Sequence, residues 1–432
     1  MKNNPTGDNK TLRVVVFTEF NWEHAIAVLR FAGPAKQTGI ELLQGNFRSN
    51  IQLDLISASD IVLIQRDFPR YINIYEQIMQ KAFSAGKPVI LEQDDLLIDL
   101  PSDHPDRRSN YYTAALLPIM RAANEANALT VSTSSLANHL RDINPNIWVL
   151  QNYLNEHIWN IPSGAAQKNE EPQMVIGYFG SDSHLPDLEF ISTALLNIIR
   201  RYGNQVRLRF WGCHPPAELS EHPQVYWTPL STGNYAEYAS YVQKQHCDIF
   251  IAPLKNNQFN QSKSPLKFIE YSSLGIAGVY SNVAPFSSIV VHGKNGLLAN
   301  TVEDWENCLE SLIENPAYRN NLGQAAQATI REGWLLSQNA QQWTDAYQEI
   351  CALPKREPST NALTHFFLPV AEQVQEIYCK QREALAQIDE IENSLTWKVV
   401  QRLWMLRMKL IPAGSQREKI YLKLKVRLSG PR

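Results

Sequence analysis

Short apolar runs alternate with longer amphipathic stretches along the first part of the chain. The stretches at 24–35 and 71–85 have helical periodicity. The apolar runs between such stretches predict strands at 12–17, 61–65, 88–92, 129–132 and 147–150. Because these runs are almost continuously apolar and are separated by helices, they predict a parallel sheet covered on both faces.

A segment at 161–172, rich in Pro, Gly, Ala and charged residues, interrupts this alternation and is predicted to be a linker. Beyond it, strands are predicted at 174–179, 206–211, 248–252 and 278–281, with helices at 188–201, 265–274 and 302–314. We therefore predict an α/β protein with two Rossmann-like domains, 1–160 and 173–352, whose parallel sheets face a cleft. Ligands in such folds bind at the carboxyl ends of the strands.

A second linker is predicted at 353–369, and a helical, basic tail at 370–432. The apolar positions of 370–395 fit an a/d heptad with polar Gln381 at one a position; they are Val374, Ile377, Ala384, Ile388, Ile391 and Leu395. This pattern predicts either a homo-oligomer or a helix packed on its own protein.

Basic residues and tryptophans are frequent from Trp397 onward, where Glu418 is the only acidic residue. A basic amphipathic helix with tryptophans is typical of a membrane-surface anchor. The alternative is a helix docked on the protein body with a solvated charged face. Residues 397–432 are thus expected to bind a membrane surface or the protein itself.

Composition narrows the classes of partner. The chain has 432 residues and a formal charge of −3, which gives no support for a nucleic-acid partner. We find neither the apolar core of a signal peptide nor a run of roughly 18 apolar residues, so a cytoplasmic protein is expected. The five cysteines, an odd number without metal-ligand spacing, predict reduced thiols and no metal site.

The residues at 260–281 (NQSKSPLKFIEYSSLGIAGVYS) carry the most specific chemistry. Ser264 as N-cap, Pro265 at the first helical position and Gly275 after the end predict a short helix. The free amides and positive dipole end of such a helix attract a diphosphate. Lys263 and Lys267 would add positive charge beside it.

Glu270 lies further along the same predicted helix, where its carboxylate can accept two hydrogen bonds from the vicinal hydroxyls of a ribose. This segment resembles the signature helix of glycosyltransferase family 4, the glycosyl transferases group 1. That family has two glutamates eight positions apart; Glu270 matches the second, whereas Ser262 stands at the first, which normally contacts the transferred sugar. The lysine–serine pair before the helix is similar to a subgroup found in O-antigen and polysaccharide clusters.

The resemblance implies the GT-B fold, transfer with retention of configuration, a nucleotide-sugar donor, and no metal or other cofactor. It also implies that Lys263 neutralises the diphosphate leaving group. The segment at 177–187 (GYFGSDSHLPD) is similar to the family's first strand and loop in the donor domain. Its glycine lets the backbone approach the phosphates, and His184 is either a ligand contact or a surface residue.

In the first half, Asp94 and Asp95 follow a predicted strand, and His104 lies in the same loop. Cleft roles are predicted for the Asp94–Asp95 pair and for His104, with a helix N-cap as the alternative for one aspartate. Asn152 is expected near the hinge. The predicted catalytic residues are thus Lys263, Glu270, Asp95 and His104, and the predicted donor-binding residues are Gly180, Ser181, Ser262, Lys263, Ser264, Lys267 and Glu270.

These patterns predict a metal-independent, retaining hexosyltransferase of polysaccharide or glycan biosynthesis. It would move a sugar from a nucleoside-diphosphate sugar to a saccharide or lipid-linked acceptor, in the cytoplasm or at the inner face of the membrane. Ser262 keeps open a non-catalytic nucleotide- or sugar-binding scaffold. A nucleotide-sugar epimerase is a third interpretation.

Overall fold

A computed structural model describes residues 11–47, 50–162, 173–230, 232–354, 363–411 and 415–420. Two six-stranded parallel sheets dominate this part of the chain. The first sheet has the order β2-β1-β5-β6-β7-β8, and the second β11-β10-β9-β12-β13-β14. The strands are β1 (Arg13–Phe17), β2 (Glu41–Gln44), β5 (Ile61–Gln65), β6 (Val89–Gln93), β7 (Ala128–Val131), β8 (Ile147–Val149), β9 (Met174–Gly180), β10 (Val206–Gly212), β11 (Val225–Thr228), β12 (Ile249–Ala252), β13 (Ala277–Ser281) and β14 (Leu297–Ala299), with a small antiparallel pair β3 (Asn46–Phe47) and β4 (Asn50–Ile51).

Helices follow most strands and supply the parallel crossovers. Around the first sheet lie α1 (Ala25–Ala27), a π-helical turn (Val28–Ala32), α2 (Gly33–Thr38), α3 (Asp54–Ala58), α4 (Ile72–Ser84), α5 (Pro105–Arg108), α6 (Thr113–Glu125) and α7 (Ser134–Leu140). Around the second lie α8 (Leu185–Phe190), α9 (Ser192–Tyr202), α10 (Ala217–Ser220), α11 (Tyr235–Gln243), α12 (Gln258–Gln261), α13 (Leu266–Ser273), α14 (Ala284–Ser287), α15 (Val302–Glu314) and α16 (Pro316–Gly333).

Each sheet is buried on both faces, as the continuous apolar runs predict. In β1, Val15 and Phe17 pack into one core cluster, whereas Val14 and Val16 pack into another on the opposite face. Successive side chains of a strand point to opposite faces, so a strand covered twice must be apolar at every position. The second sheet repeats this arrangement with its own two clusters.

The last helices of the second half cross back to the first sheet. The sequence places the end of the second domain at 352, but α17 (Leu336–Asn339) and α18 (Gln341–Cys351) pack into the core of the first half. Trp343 is fully buried there, and its indole N–H donates to the carbonyl of Arg30 at 2.8 Å. The apolar faces of these helices therefore bind the two halves to each other.

The described chain forms two compact units, one up to Val370 and one from Ala371. Both sheets belong to the first. In the C-terminal region α19 (Leu363–Asn393) and α20 (Leu395–Leu410) are helical, so the helix begins inside the predicted linker 353–369. Ser394 separates the two helices and accepts a hydrogen bond from the amide of Trp397, which interrupts the predicted heptad before Leu395.

Most predicted elements are present within two or three residues of their expected bounds, and the 302–314 helix and the 61–65 strand match. The helix predicted at 188–201 is two helices, α8 and α9, because Ile191 leaves the helical conformation (φ −108°, ψ 7°). Strands β2, β11 and β14 were not predicted. The linker residues 163–172 and 355–362 and the tail residues 412–414 and 421–432 lie outside the described part of the chain.

Candidate functional site

A cleft of about 510 Å³ lies between the carboxyl ends of the two sheets. Asp94 and Asp95 reach it from the end of β6, and Gly180 and Ser181 from the end of β9. The start of α13 forms part of its wall. Other lining residues include His24, Arg30, Asn152, His184, Tyr235, Tyr238, Lys263, Ser264, Lys267 and Glu270.

The start of α13 has no side-chain cap. Pro265 occupies the N-cap position, one residue later than the sequence predicts. Ser264 is not the N-cap, because its hydroxyl accepts a hydrogen bond from the Asn152 amide at 2.9 Å instead. The first amides of the helix are therefore left for a ligand. Gly275 follows the helix with φ +72°, as predicted for a C′ residue.

Two lysines flank this helix end. The Lys263 ammonium lies 4.4 Å from the centroid of the Phe259 ring. The Lys267 ammonium donates to the carbonyl oxygen of Phe179 at 2.5 Å and lies 4.8 Å from the Tyr178 ring. Burial lowers the pKa of Lys267 to about 8, and the neighbouring charge of Lys263 acts in the same direction. An anion bound in the cleft would favour the charged ammonium and so raise this pKa again.

Glu270 is 4 % exposed and lies beneath the cleft. Its Oε1 accepts a hydrogen bond from the Tyr235 hydroxyl at 2.8 Å, and its Oε2 a longer one from Tyr238 at 3.4 Å. Burial raises the pKa of Glu270 to about 7, although Lys267 and the two tyrosines act to lower it. The Trp159 indole N–H donates to the Tyr235 hydroxyl at 3.1 Å and holds that tyrosine in place.

The loop after β9 approaches the cleft through its backbone. The Gly180 carbonyl accepts a hydrogen bond from the Cys213 amide at 2.6 Å, and the Ser181 hydroxyl pairs with Ser183 at 2.6 Å. A Cβ at Gly180 would lie 2.6 Å from the Tyr178 hydroxyl oxygen, so this position admits only glycine without a shift of that ring. Gly180, Ser181, Lys263, Ser264, Lys267 and Glu270 thus lie together, as the sequence predicts.

The two aspartates of the first half differ from each other. Asp94 forms a close ion pair with Arg66, whose backbone has a φ of +52°. Burial raises the pKa of Asp94. Asp95 lies 3.7 Å from Arg66. Burial would raise the pKa of Asp95, but the positive charges of Lys263 and Arg66 outweigh it and hold that pKa below its usual value. Neither aspartate is a helix N-cap.

His104 and Ser262 do not line the cleft. His104 is 8 % exposed, N-caps α5 by accepting from the Asp106 amide at 3.2 Å, and packs edge-on against the Phe259 ring. It borders a small pocket beside the cleft, together with Lys263.

Ser262 is fully buried between the two halves. Its hydroxyl donates to the Gln258 carbonyl at 2.9 Å, and its carbonyl accepts from the Thr133 hydroxyl of the first half at 2.8 Å. This position joins the halves and does not line the cleft.

Sequence reasoning missed Tyr235 and Tyr238. Asn234 caps their helix by accepting from the amides of Ala236 and Glu237, and the three-residue spacing puts both tyrosines on one face. The sequence shows that spacing, but only the tertiary structure shows that the two tyrosines contact Glu270. Within the described residues no group of three or more His, Cys, Asp or Glu side chains could hold a metal ion.

Known proteins resemble part of this chain in sequence and most of it in fold. Residues 173–315 match the family model for glycosyl transferases group 1. No curated protein matches the chain by sequence. Among solved structures, HepE from Anabaena, in complex with UDP-glucose, has a TM-score of 0.54 at 12 % identity over 78 % of this chain and 99 % of HepE. Sucrose-phosphate synthase from Thermosynechococcus elongatus has a TM-score of 0.55 at 11 % identity over 79 % and 99 %.

This chain has the GT-B fold. TarM from S. aureus is also similar, with a TM-score of 0.50 at 14 % identity over 69 % of this chain; the chain spans 59 % of TarM. The cleft lies between the two Rossmann-like halves of this fold. The residues matched by the family model include Lys263, Lys267 and Glu270 at α13. No described helix has the length and apolar character needed to cross a membrane.

Proposed function

We propose that this protein is a glycosyltransferase that moves a sugar from a nucleoside-diphosphate sugar to a saccharide or lipid-linked acceptor. One observation carries the proposal: the uncapped start of α13, Lys263, Lys267 and the buried carboxylate of Glu270 all border the cleft. Amides and ammonium groups suit a diphosphate, and a carboxylate suits ribose hydroxyls. The match of residues 173–315 to glycosyl transferases group 1 supports the same chemistry.

The leaving nucleoside diphosphate gains negative charge as the bond to the sugar breaks. Positive groups that are oriented before the reaction stabilise that charge without reorganising. We assign this role to the α13 amides, Lys263 and Lys267. Glu270 would hold the ribose and so fix the position of the anomeric carbon. Within this proposal transfer retains configuration, needs no metal and uses a hexosyl donor, as the resemblance of residues 260–281 implies.

Nucleotide binding tests the donor site first. Calorimetry with UDP, GDP, ADP and dTDP should show one preferred nucleotide. Glu270→Ala and Lys263→Met should each weaken it, because a hydrogen bond to a charged group contributes about 1.5–3 kcal/mol, or roughly 10- to 150-fold in affinity. Lys255→Met is the matched control, since Lys255 pairs with Asp103 outside the cleft.

Transfer is then assayed by release of that nucleotide from its sugar ester in the presence of acceptor saccharides. Failure of the folded wild type to bind any nucleotide would contradict the donor site. Binding without transfer or donor turnover would favour the scaffold interpretation, and donor interconversion without an acceptor would favour an epimerase.

A membrane surface is the partner we propose for α20. Its large apolar side chains are exposed, among them Leu403 and Trp404, at 61 % and 57 %. Lys398, Arg402 and Lys409 recur at helical spacing on one face, where each could add about 1 kcal/mol near an anionic leaflet. The full chain should sediment with phosphatidylglycerol vesicles and not with phosphatidylcholine vesicles. Deletion of 397–432 should abolish this, and unchanged binding after the deletion would contradict it.

Self-association through 370–395 stays a proposal on the heptad alone. Val374, Ile388 and Ile391 in α19 are each about half exposed. Sedimentation of the full chain should show a dimer that Ile388→Glu dissociates. A monomer at all concentrations would contradict it.

A further inference from the structure

The cleft contains hydrogen-bond acceptors that the proposed donor site does not use. Position 262 is a serine and so has no carboxylate, and its side chain is buried in the contact between the halves rather than lining the cleft. Two other groups do reach the cleft, His184 from the loop after β9 and Asp95 from the end of β6. They come from opposite halves of the protein.

His184 is half of a buried pair. Its Nδ1 lies 2.9 Å from Oδ2 of Asp187, while Oδ1 of Asp187 accepts from the Lys255 amide at 2.8 Å and the Asn260 side chain at 2.9 Å. Burial opposes ionisation of Asp187, yet the hydrogen bond from His184 and these donors keep its pKa below the usual value. Because an ionised carboxylate only accepts, Nδ1 carries the imidazole proton.

The other ring nitrogen of His184 is then an acceptor. Burial lowers the pKa of His184 to about 4, so the ring is neutral at pH 7 and Nε2 holds a lone pair. Nε2 has no hydrogen-bond partner among the described residues, and it lies on the ring edge opposite Asp187. A histidine locked in this way recognises a hydrogen-bond donor.

Asp95 is the second acceptor. Asp94 beside it is occupied by its ion pair with Arg66, whereas the Asp95 carboxylate accepts no hydrogen bond from the part of the chain that the structure describes. Its side chain is 26 % exposed to the cleft. Asp95, His184 and Lys263 all line the cleft, so the three side chains border the same ligand space.

We propose that His184 and Asp95 together form the subsite for the transferred sugar, each accepting a hydrogen bond from a sugar hydroxyl. Asp95 supplies from the first half the carboxylate that position 262 lacks. The subsite takes the hexose of a nucleoside-diphosphate sugar, beside Lys263 and the loop at Gly180 and Ser181. This inference rests on the proposed function.

Asp187 acts through His184 as a positioning residue. Their hydrogen bond leads to a specific prediction for Asp187→Asn. In Asp187→Asn the side-chain amide donates to Nδ1, so the imidazole proton moves to Nε2. The ring then presents a donor to the cleft, although its shape is unchanged. A structural role alone would not depend on this reversal.

The experiment compares two ligands, the nucleoside diphosphate alone and its sugar ester. UDP is measured against UDP-glucose, UDP-galactose and UDP-N-acetylglucosamine, or the equivalent GDP or dTDP pairs if the wild type prefers those bases. Calorimetry is run on wild type, Asp95→Ala, His184→Phe, Asp187→Asn and the control Asp182→Asn. Asp182 lies in the same loop but pairs with exposed His214 outside the cleft.

We expect Asp95→Ala, His184→Phe and Asp187→Asn to weaken the preferred sugar ester about tenfold or more while changing the affinity for the free nucleotide less than twofold. Asp182→Asn should match the wild type for both ligands. Equal losses for ester and free nucleotide, or no loss for either, would overturn the sugar subsite and leave the proposed function standing. A wild type that binds no nucleotide would overturn both.

Discussion

The two sides of the cleft differ in whether their charged side chains form ion pairs. At the strand ends of the first half, Arg30 pairs with Glu92 and Arg66 with Asp94, so the buried charges neutralise each other. At the start of α13 in the second half, Lys263 and Lys267 line the cleft without a side-chain ion pair among the described residues, and burial raises the pKa of the nearby Glu270 carboxyl to about 7. The ion pairs of the first half are structural contacts, whereas the lysines of the second half leave positive charge available to an anionic ligand.

The largest expected effect is a loss of stability when the buried Arg30–Glu92 ion pair of the first half is broken. Arg30 and Glu92 are each 1 % exposed, and Arg30 also donates to the Leu150 carbonyl and to Asn152. Arg30→Met leaves Glu92 buried without its partner, which should lower the free energy of unfolding by about 3–5 kcal/mol. Urea denaturation measures the loss.

Arg13→Met is the control for this pair. Arg13 contacts Glu41 at the surface, so its loss should cost only about 0.2–1 kcal/mol. The double variant Arg30→Met, Glu92→Met should recover part of the stability, because no unpaired charge remains. If Arg30→Met lowered the free energy of unfolding as little as Arg13→Met, the buried ion pair would not stabilise the first half.

An intermediate effect concerns Glu270, whose pKa is raised from 4.5 to about 7 by burial. The folded protein therefore binds a proton that the unfolded chain has released between these values, and stability falls as the pH rises from about 4.5 to 7. Glu270→Gln should remove this fall, and each pKa unit corresponds to about 1.4 kcal/mol. Relative to the wild type, the variant should thus gain stability as the pH rises from about 4.5 to 7.

Urea denaturation across that pH range measures the difference, and nucleotide binding provides a second reading. Wild-type affinity should rise through pH 7, since the ionised carboxylate is the better acceptor for ribose hydroxyls. Parallel stability curves for wild type and Glu270→Gln would show that Glu270 is already ionised in the empty cleft.

The smallest expected effect concerns an ion pair that joins the two sides. Lys255 of the second half lies 2.7 Å from Asp103 of the first, and both side chains are about a third exposed. Asp103→Asn should cost less than about 1 kcal/mol in urea denaturation, because exposed pairs gain little over their hydration. A loss comparable with that of Arg30→Met would mean that charge, rather than the apolar packing of α17 and α18, holds the halves together.

Much of the fold follows from local pattern. Most strands of both sheets are continuously apolar because both faces are covered, and such runs can be recognised in the sequence alone. The missed strands β2, β11 and β14 are short and lie at or near sheet edges, with fewer apolar positions to mark them. The sequence did not predict that α18 packs on the first sheet, because an amphipathic pattern does not indicate which core its apolar face packs against.

The site divides in the same way. The amino-acid sequence by itself determined the two-sheet architecture, the short helix with Lys263, Lys267 and Glu270, and the glycine loop at Gly180, because helix propensity and turn chemistry act over a few residues. Only the tertiary structure decided that Ser262 joins the halves, that Ser264 contacts Asn152 rather than capping a helix, and that His184 pairs with Asp187 at the edge of the cleft. Those outcomes depend on burial and on partners distant in the chain, and no local pattern contains them.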